Sequence, residues 1–330
     1  YLKKLNQRYS FRYNVIRFYQ VYGPKQNLNR FIPIVVFNCL NNRSFPSSEG
    51  KQSRDFLFID EAGQLSLADL ISIGNIAKNI VLIGDQNQLG QPIRGTHPNN
   101  SGQSILEYLL EGKDTIPEDK GIFLNKTYRL NSKINNFISS NFYEERLICD
   151  DRTDKRIIKF NNKSIIKKDG IHYIEMKHKN NVQTSIEEFE VVKSLMKQLI
   201  GVEFDDNGKK RKLTANDFLI ISPYNTQVNL LISKLEEEKI KNPRVGTIDK
   251  FQGQEAPVTL ISMTSSDPES LPRNKEFFFS RNRLNVAISR AQCISIILFN
   301  SNLLKFMPKS VEQVKLINNF IKLKNLYKVN

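Results

Sequence analysis

The chain predicts an α/β fold with mostly parallel sheets, and two observations carry that prediction. Short apolar runs of strand length recur at residues 34–37, 56–59, 80–83, 218–221, 258–261 and 294–299. They are continuous rather than alternating, as strands buried on both faces require. Helical periods lie between them, over 67–77, 104–110, 132–143, 187–200 and 227–239. Strands alternating with helices of that length make crossover units.

Each element has a local reason. Ser185, followed three residues on by Glu188, reads as a capping box for the helix over 187–200. The triplet 122–124 (IFL) reads as a short strand, and 311–326 carries a helical period with many lysines. Residues 203–212 (EFDDNGKKRK) are polar and Gly-centred, which predicts an exposed loop. An irregular charged stretch, 150–169, separates two strand–helix series, so one sheet is expected before it and another after it.

Composition narrows the partners. A chain of 330 residues predicts about two domains. Its net charge of +15 favours an anionic partner, nucleic acid first, although lysine-rich coding would raise the charge by itself. Cys39, Cys149 and Cys293 are too scattered for a disulfide framework or a zinc cluster, which points to a reducing, cytoplasmic compartment. His97, His172 and His178 lack metal-ligand spacing, and no run of 18 apolar residues offers a membrane span.

Five segments carry chemistry. Residues 56–64 (FLFIDEAGQ) end an apolar strand in adjacent carboxylates: Asp60 is placed to hold Mg²⁺ and Glu61 to take a proton from an attacking water. Residues 80–91 (IVLIGDQNQLGQ) put Asp85 and Gln88 at a second strand tip, where a carboxamide can sense a γ-phosphate. Residues 245–255 (VGTIDKFQGQE) gather Thr247, Lys250, Gln252, Gly253 and Glu255. Gly253 would permit close backbone approach, and Glu255 could accept from a ribose hydroxyl. Residues 280–291 (SRNRLNVAISRA) place Arg290, with its planar fork, on a short helix, while Arg281 and Arg283 read as solvated or backbone-contacting. Arg129 follows in KTYRL. No G-x-x-x-x-G-K-[ST] occurs in the chain, and it opens at Tyr1, so the phosphate-cradling loop is expected upstream.

In this order and spacing, DEAG, GDQNQL, TYRLN, GTIDKFQGQE and NVAISRAQ resemble motifs II to VI of the superfamily 1 helicases of the DNA2/NAM7-like kind. Further stretches, FYEERL and FSRNRLNVAISRA among them, resemble a bacterial family that fuses a RecB-like nuclease to such a helicase. The resemblance implies two RecA-like domains, 1–115 and 116–330, with an irregular insert near 150–183. ATP with Mg²⁺ is expected in a cleft between them, and single-stranded DNA, more readily than RNA, across both. It assigns Asp60 to magnesium, Glu61 to water activation and Gln88 to the γ-phosphate. Arg129 and Arg290 become fingers, Gly253 and Glu255 face γ-phosphate and ribose, Asp85 joins the nucleotide-facing group, and Thr247 and Lys250 lie near the strand. Motif I and any nuclease residues are absent, which leaves a second expectation open: a nucleic-acid-binding module, or a structural remnant, without ATPase activity.

Overall fold

The computed structural model describes residues 54–74, 76–90, 102–161, 164–240, 242–269, 271, 279–308 and 311–329. The strand expected at 34–37, Cys39 and His97 lie outside them. Contacts divide the chain into two compact units, Tyr1–Gly84 with Gly90–Leu109, and Asp85–Leu89 with Leu110–Asn330.

In the first unit, strand β1 (Arg54–Ile59), helix α1 (Leu67–Gly74) and strand β2 (Ala77–Leu82) form one crossover, with β1 and β2 parallel. The helical period over 67–77 stops early because Gly74 ends the helix, and Ala77 opens β2 instead. Helix α2 (Ile105–Leu110) begins with a reciprocal box: Glu107 N donates to Ser104 Oγ at 3.2 Å, and Ser104 N to Glu107 Oε2 at 2.9 Å. Ile59, Ala62, Leu65, Ile73, Ile105 and Leu106 make the small core.

The second unit runs through β3 (Lys126–Thr127), α3 (Ser132–Phe142), β4 (Ile148–Cys149), β5 (Arg156–Ile158), β6 (Gly170–Glu175) and α4 (Ile186–Leu199). It continues with β7 (Glu203–Asp206), β8 (Lys209–Lys212), β9 (Phe218–Ile221), α5 (Asn225–Glu237), β10 (Val245–Gly246) and β11 (Ala256–Ser262). Helix α6 (Arg281–Ser289), β12 (Ala291–Phe299) and α7 (Val311–Tyr327) complete it. Five strands form one parallel sheet in the order β10-β9-β11-β12-β6. Successive residues alternate between two cores. Leu219, Ile221, Ile261, Ile297 and Phe299 pack with residues of α3, α6 and α7, whereas Ile220, Leu260, Ile296 and Leu298 pack with α4 and α5. Helices on both faces explain why the strands read as unbroken apolar runs. The α/β class with mostly parallel sheets is thus the fold observed.

Four local expectations change. Residues 122–124 form no strand: Ile122 and Leu124 are exposed, and β4 pairs with Lys126–Thr127 instead. Three apolar residues hold no strand without a neighbour to bond. The loop expected at 203–212 is the β7–β8 hairpin, closed by Asn207 and Gly208 at φ 54° and 88°, the two left-handed positions of a type I′ turn. The irregular stretch 150–169 contains β5, which pairs with β7. Strand β6 escaped the apolar-run reading because His172 and Tyr173 interrupt it, yet it is the sheet's edge strand beside β12.

Candidate nucleotide site

Within the first unit the acid pair sits where the sequence places it, directly after β1. Ile83 N donates to Ile59 O at 2.8 Å and Ala62 N to Ile83 O at 2.9 Å, which laces the tips of β1 and β2 together. Gly84 makes that approach possible, since a Cβ there would stand 2.7 Å from Ala62 N. Asp60 and Glu61 are both exposed. Glu61 takes φ 56°, a left-handed conformation costly for a residue with a side chain. Its amide is held by Asp60 Oδ1 at 3.0 Å, and Gln64 Nε2 donates to its Oε2 at 3.3 Å. One exposed carboxylate at a strand tip suits Mg²⁺, which keeps most of its waters. Among the described residues no three His, Cys, Asp or Glu side chains converge as a protein-only metal cage.

Within the second unit, the five residues Asp85–Leu89 are gripped by side chains from three segments. Asn282 Nδ2 donates to Gln86 O at 3.0 Å and to Gln88 O at 2.8 Å, and Asn285 Nδ2 donates to Asn87 O at 2.9 Å. Asn87 itself is buried and donates to Asp114 O and Phe142 O, both at 2.8 Å. The Asp85 carboxylate accepts from Tyr143 Oη at 2.5 Å, from Gln88 Nε2 at 2.9 Å and from Asn87 N at 2.9 Å. Burial, then the charge of Asp85 beside it, pushes the Tyr143 hydroxyl well above its ordinary value. With Nε2 tied to Asp85, Gln88 turns Oε1 to Arg290, whose guanidinium donates at 3.5 Å.

Arg290 follows α6 as its C-cap and is only 2% exposed. It donates to Val286 O and Gln254 O, both at 3.3 Å. Arg129 reaches Glu255 at 2.5 Å, and Gln292 Nε2 donates to the other Glu255 oxygen at 2.9 Å. Burial works to raise the Glu255 carboxyl; Arg129 outweighs it, aided by Gln292, and the net shift is downward. Gln252 Nε2 is buried with no hydrogen-bond partner, and Gly253, at φ 73°, has open space where a side chain would stand. An orphaned donor beside a bare backbone is the expected lining of a ligand site.

Thr247 caps a short 3-10 turn, Ile248–Phe251, and Lys250 folds over Gly246 to donate to Val245 O at 3.0 Å. The second unit therefore brings Gln88, Arg290, Glu255 and Arg129 into one linked set, with Asp85 behind Gln88. Arg281, expected to be solvated or backbone-contacting, does donate to Asn141 O at 2.8 Å, and it also forms a two-pronged pair with Asp114 at 2.6 and 2.7 Å, lies over the Phe142 ring and reaches Asn87. Arg283 pairs with Asp249. Tyr143, Asn282 and Asn285 were missed because nothing in FYEERL or RLN marks which side chains turn inward.

The model of the AAA domain family matches residues 101–302. That of the NAD dependent epimerase/dehydratase family matches residues 1–84, a stretch with no Gly-x-Gly pair in it. Among curated relatives, the DNA replication ATP-dependent helicase/nuclease dna2 of Schizosaccharomyces pombe is 28% identical, covering 86% of this chain and 21% of that protein. The probable RNA helicase armi of Drosophila melanogaster is 29% identical, covering 75% and 23%. An uncharacterised ATP-dependent helicase of Methanocaldococcus jannaschii is 31% identical, covering 81% and 38%. The chain thus spans from about a fifth to two fifths of the length of these relatives. An arterivirus nonstructural protein 10 helicase with DNA superposes at a TM-score of 0.40 with 16% identity, over 92% of this chain and 53% of that one, too loose a likeness to argue from. The chain belongs to the AAA domain family, and its relatives are superfamily 1 helicases of the DNA2/NAM7-like kind.

Proposed function

We propose that the chain is the motif II to VI part of an ATP-dependent helicase or translocase that acts on single-stranded nucleic acid, DNA before RNA, in the cytoplasm. The observation that supports this reading best is the Gln88–Arg290 contact, which ties the second strand-tip segment to the arginine of α6. ATP with Mg²⁺, when bound, supplies the phosphoryl group to be cleaved and the cation that neutralises its oxygens. Asp60 would hold the magnesium, and Glu61 would take the proton of the attacking water. Arg290 and Arg129 would face the charge that develops on the transferred group, with Gln88 reporting its departure by changing partner. Asp85 would steer Gln88, Gly253 and Glu255 would face the γ-phosphate and ribose, and Thr247 and Lys250 would lie near the strand. In this reading residues 1–115 and 116–330 are parts of two RecA-like domains, and an attached or neighbouring nuclease is a candidate partner, as in the helicase/nuclease relatives.

The residues fit this nucleotide in part. The γ-phosphate and ribose contacts have candidates; a Gly-rich cradle for the β-phosphate has none in these 330 residues. That gap leaves open a second reading: a single-strand-binding module without ATPase activity. One experiment separates them. The chain is expected to bind single strands with a slope of log K against log salt near roughly −2 to −3 and to hydrolyse no ATP by itself. Fusing a P-loop-bearing segment of a relative should restore strand-stimulated hydrolysis, which Glu61→Gln then slows by about 10²–10⁴-fold. If the fusion binds ATP but never turns it over, the binding module stands.

A further inference from the structure

Away from the nucleotide site, the second unit has a cavity of about 560 Å³ between the start of β6 and the end of α7. That is ample for a small organic molecule. Among the described residues its lining contains no carboxylate side chain. Lys167, Lys168, Lys328 and His172 line it together with Ile165, Ile171, Leu326, Tyr327 and Val329. Ser164 also lines it. Its hydroxyl is buried, the residue being 5% exposed, and has no hydrogen-bond partner.

The electrostatics agree. Glu175 takes up Lys328, while Lys167 and Lys168 form no ion pair among the described residues. Burial, with Lys168 and Lys133 nearby, holds the His172 ring below its ordinary pKa. Its Nε2 meets Lys168 O at 2.8 Å, so the neutral ring carries its proton there and leaves Nδ1 as an acceptor. The nearest acid in sequence, Asp169, accepts from the Ile158 backbone instead.

We propose that this cavity binds a small organic phosphate, with the phosphate on Lys167 and Lys168 and the apolar body against Leu326, Tyr327 and Val329. The site is independent of the nucleotide site and needs no hydrolysis. Calorimetry on the whole chain with phenyl phosphate and inorganic phosphate tests it. Phenyl phosphate should bind one-to-one and several-fold tighter than inorganic phosphate. Lys167→Glu with Lys168→Glu should weaken it by about tenfold or more, while Arg129→Ala leaves it unchanged. Both lysines are exposed, so melting should not move; Lys167→Gln with Lys168→Gln repeats the test without reversed charge. No saturable binding, equal binding of the two phosphates, affinity untouched by the lysine variants, or loss with Arg129→Ala would each overturn the proposal.

Discussion

Strands β1 and β11 carry the same kind of apolar run, FLFI and VTLI, yet they live in different surroundings. Every residue of β11 is buried between two helical layers. In β1 only one face is covered: Ile59 enters the small core, while Phe56 and Phe58, on the other face, are 58% and 57% exposed and lie side by side with ring centroids 6.2 Å apart. An apolar run thus predicts a strand but not how many layers cover it. Coverage depends on what the rest of the chain brings to each face.

The sharpest way to break this contrast is a pair of truncations. Ile296→Ala, in the interior strand β12 beside β11, should cost about 4 kcal/mol, because a fully buried methyl-rich side chain leaves a cavity. Phe56→Ala should cost under about 1 kcal/mol if its face is as open as it is here. Denaturant unfolding of both variants decides it, and an equal loss would mean that β1 is covered after all.

A buried charge provides the next test. Glu188 is fully buried, and its carboxylate accepts from Thr264 N at 2.9 and 3.0 Å, from Ser262 Oγ at 2.5 Å and from His178 at 3.1 Å. Thr264 holds φ 71°, an unfavourable conformation for a β-branched residue, which this carboxylate pins. Glu188→Ala should therefore cost about 3 kcal/mol by orphaning those partners, with melting as the readout. No acid of the first unit is buried in this way among the described residues.

Asp169 gives a smaller, pH-dependent effect. Burial lifts its carboxyl to about 6 against the favourable pull of Lys133. Because the folded value is raised, its contribution is fully present below about 4 and is lost as pH rises through about 6. Asp169→Asn should remove that fall, leaving the variant more stable than the parent at pH 7 by roughly 1–3 kcal/mol. Identical pH profiles of unfolding would sink the assignment. Smallest is Tyr143→Phe. Losing the hydroxyl between Asp85 and Asn285 should cost about 1 kcal/mol and loosen Asp85–Leu89, read as faster amide exchange confined to those residues.

Much of the fold was legible in advance because the second unit obeys simple periodicities. The six expected helical periods and most strands fall within a few residues of their predicted places. The failures share a cause. Strand β6 is buried but broken by His172 and Tyr173, and the hairpin β7–β8 is held by its Asn-Gly turn rather than by apolar content. The Ser185–Glu188 box closed only one arm: Glu188 N donates to Ser185 Oγ at 3.1 Å, but Gln227 takes the Ser185 amide because the Glu188 side chain turns into the sheet. Of the site, the charged and amide residues in motifs could be named from their spacing. The asparagines and the tyrosine that hold Asp85–Leu89 could not, since their work is done across more than fifty residues of sequence.

The β7–β8 hairpin bears on colloidal behaviour. Strand β8 closes its three-stranded sheet and leaves one edge unpaired, and all four of its residues, KKRK, are exposed. Across the hairpin Glu203, Asp205 and Asp206 stand opposite Lys212, Lys210 and Lys209, so the charge is balanced on one side only. A second copy adding itself to the open edge would set eight cations along one ladder, at a repulsion that outweighs the few backbone bonds gained. The ribbon that looked like a loop is thereby a guard against self-templated aggregation, and one that high salt should weaken.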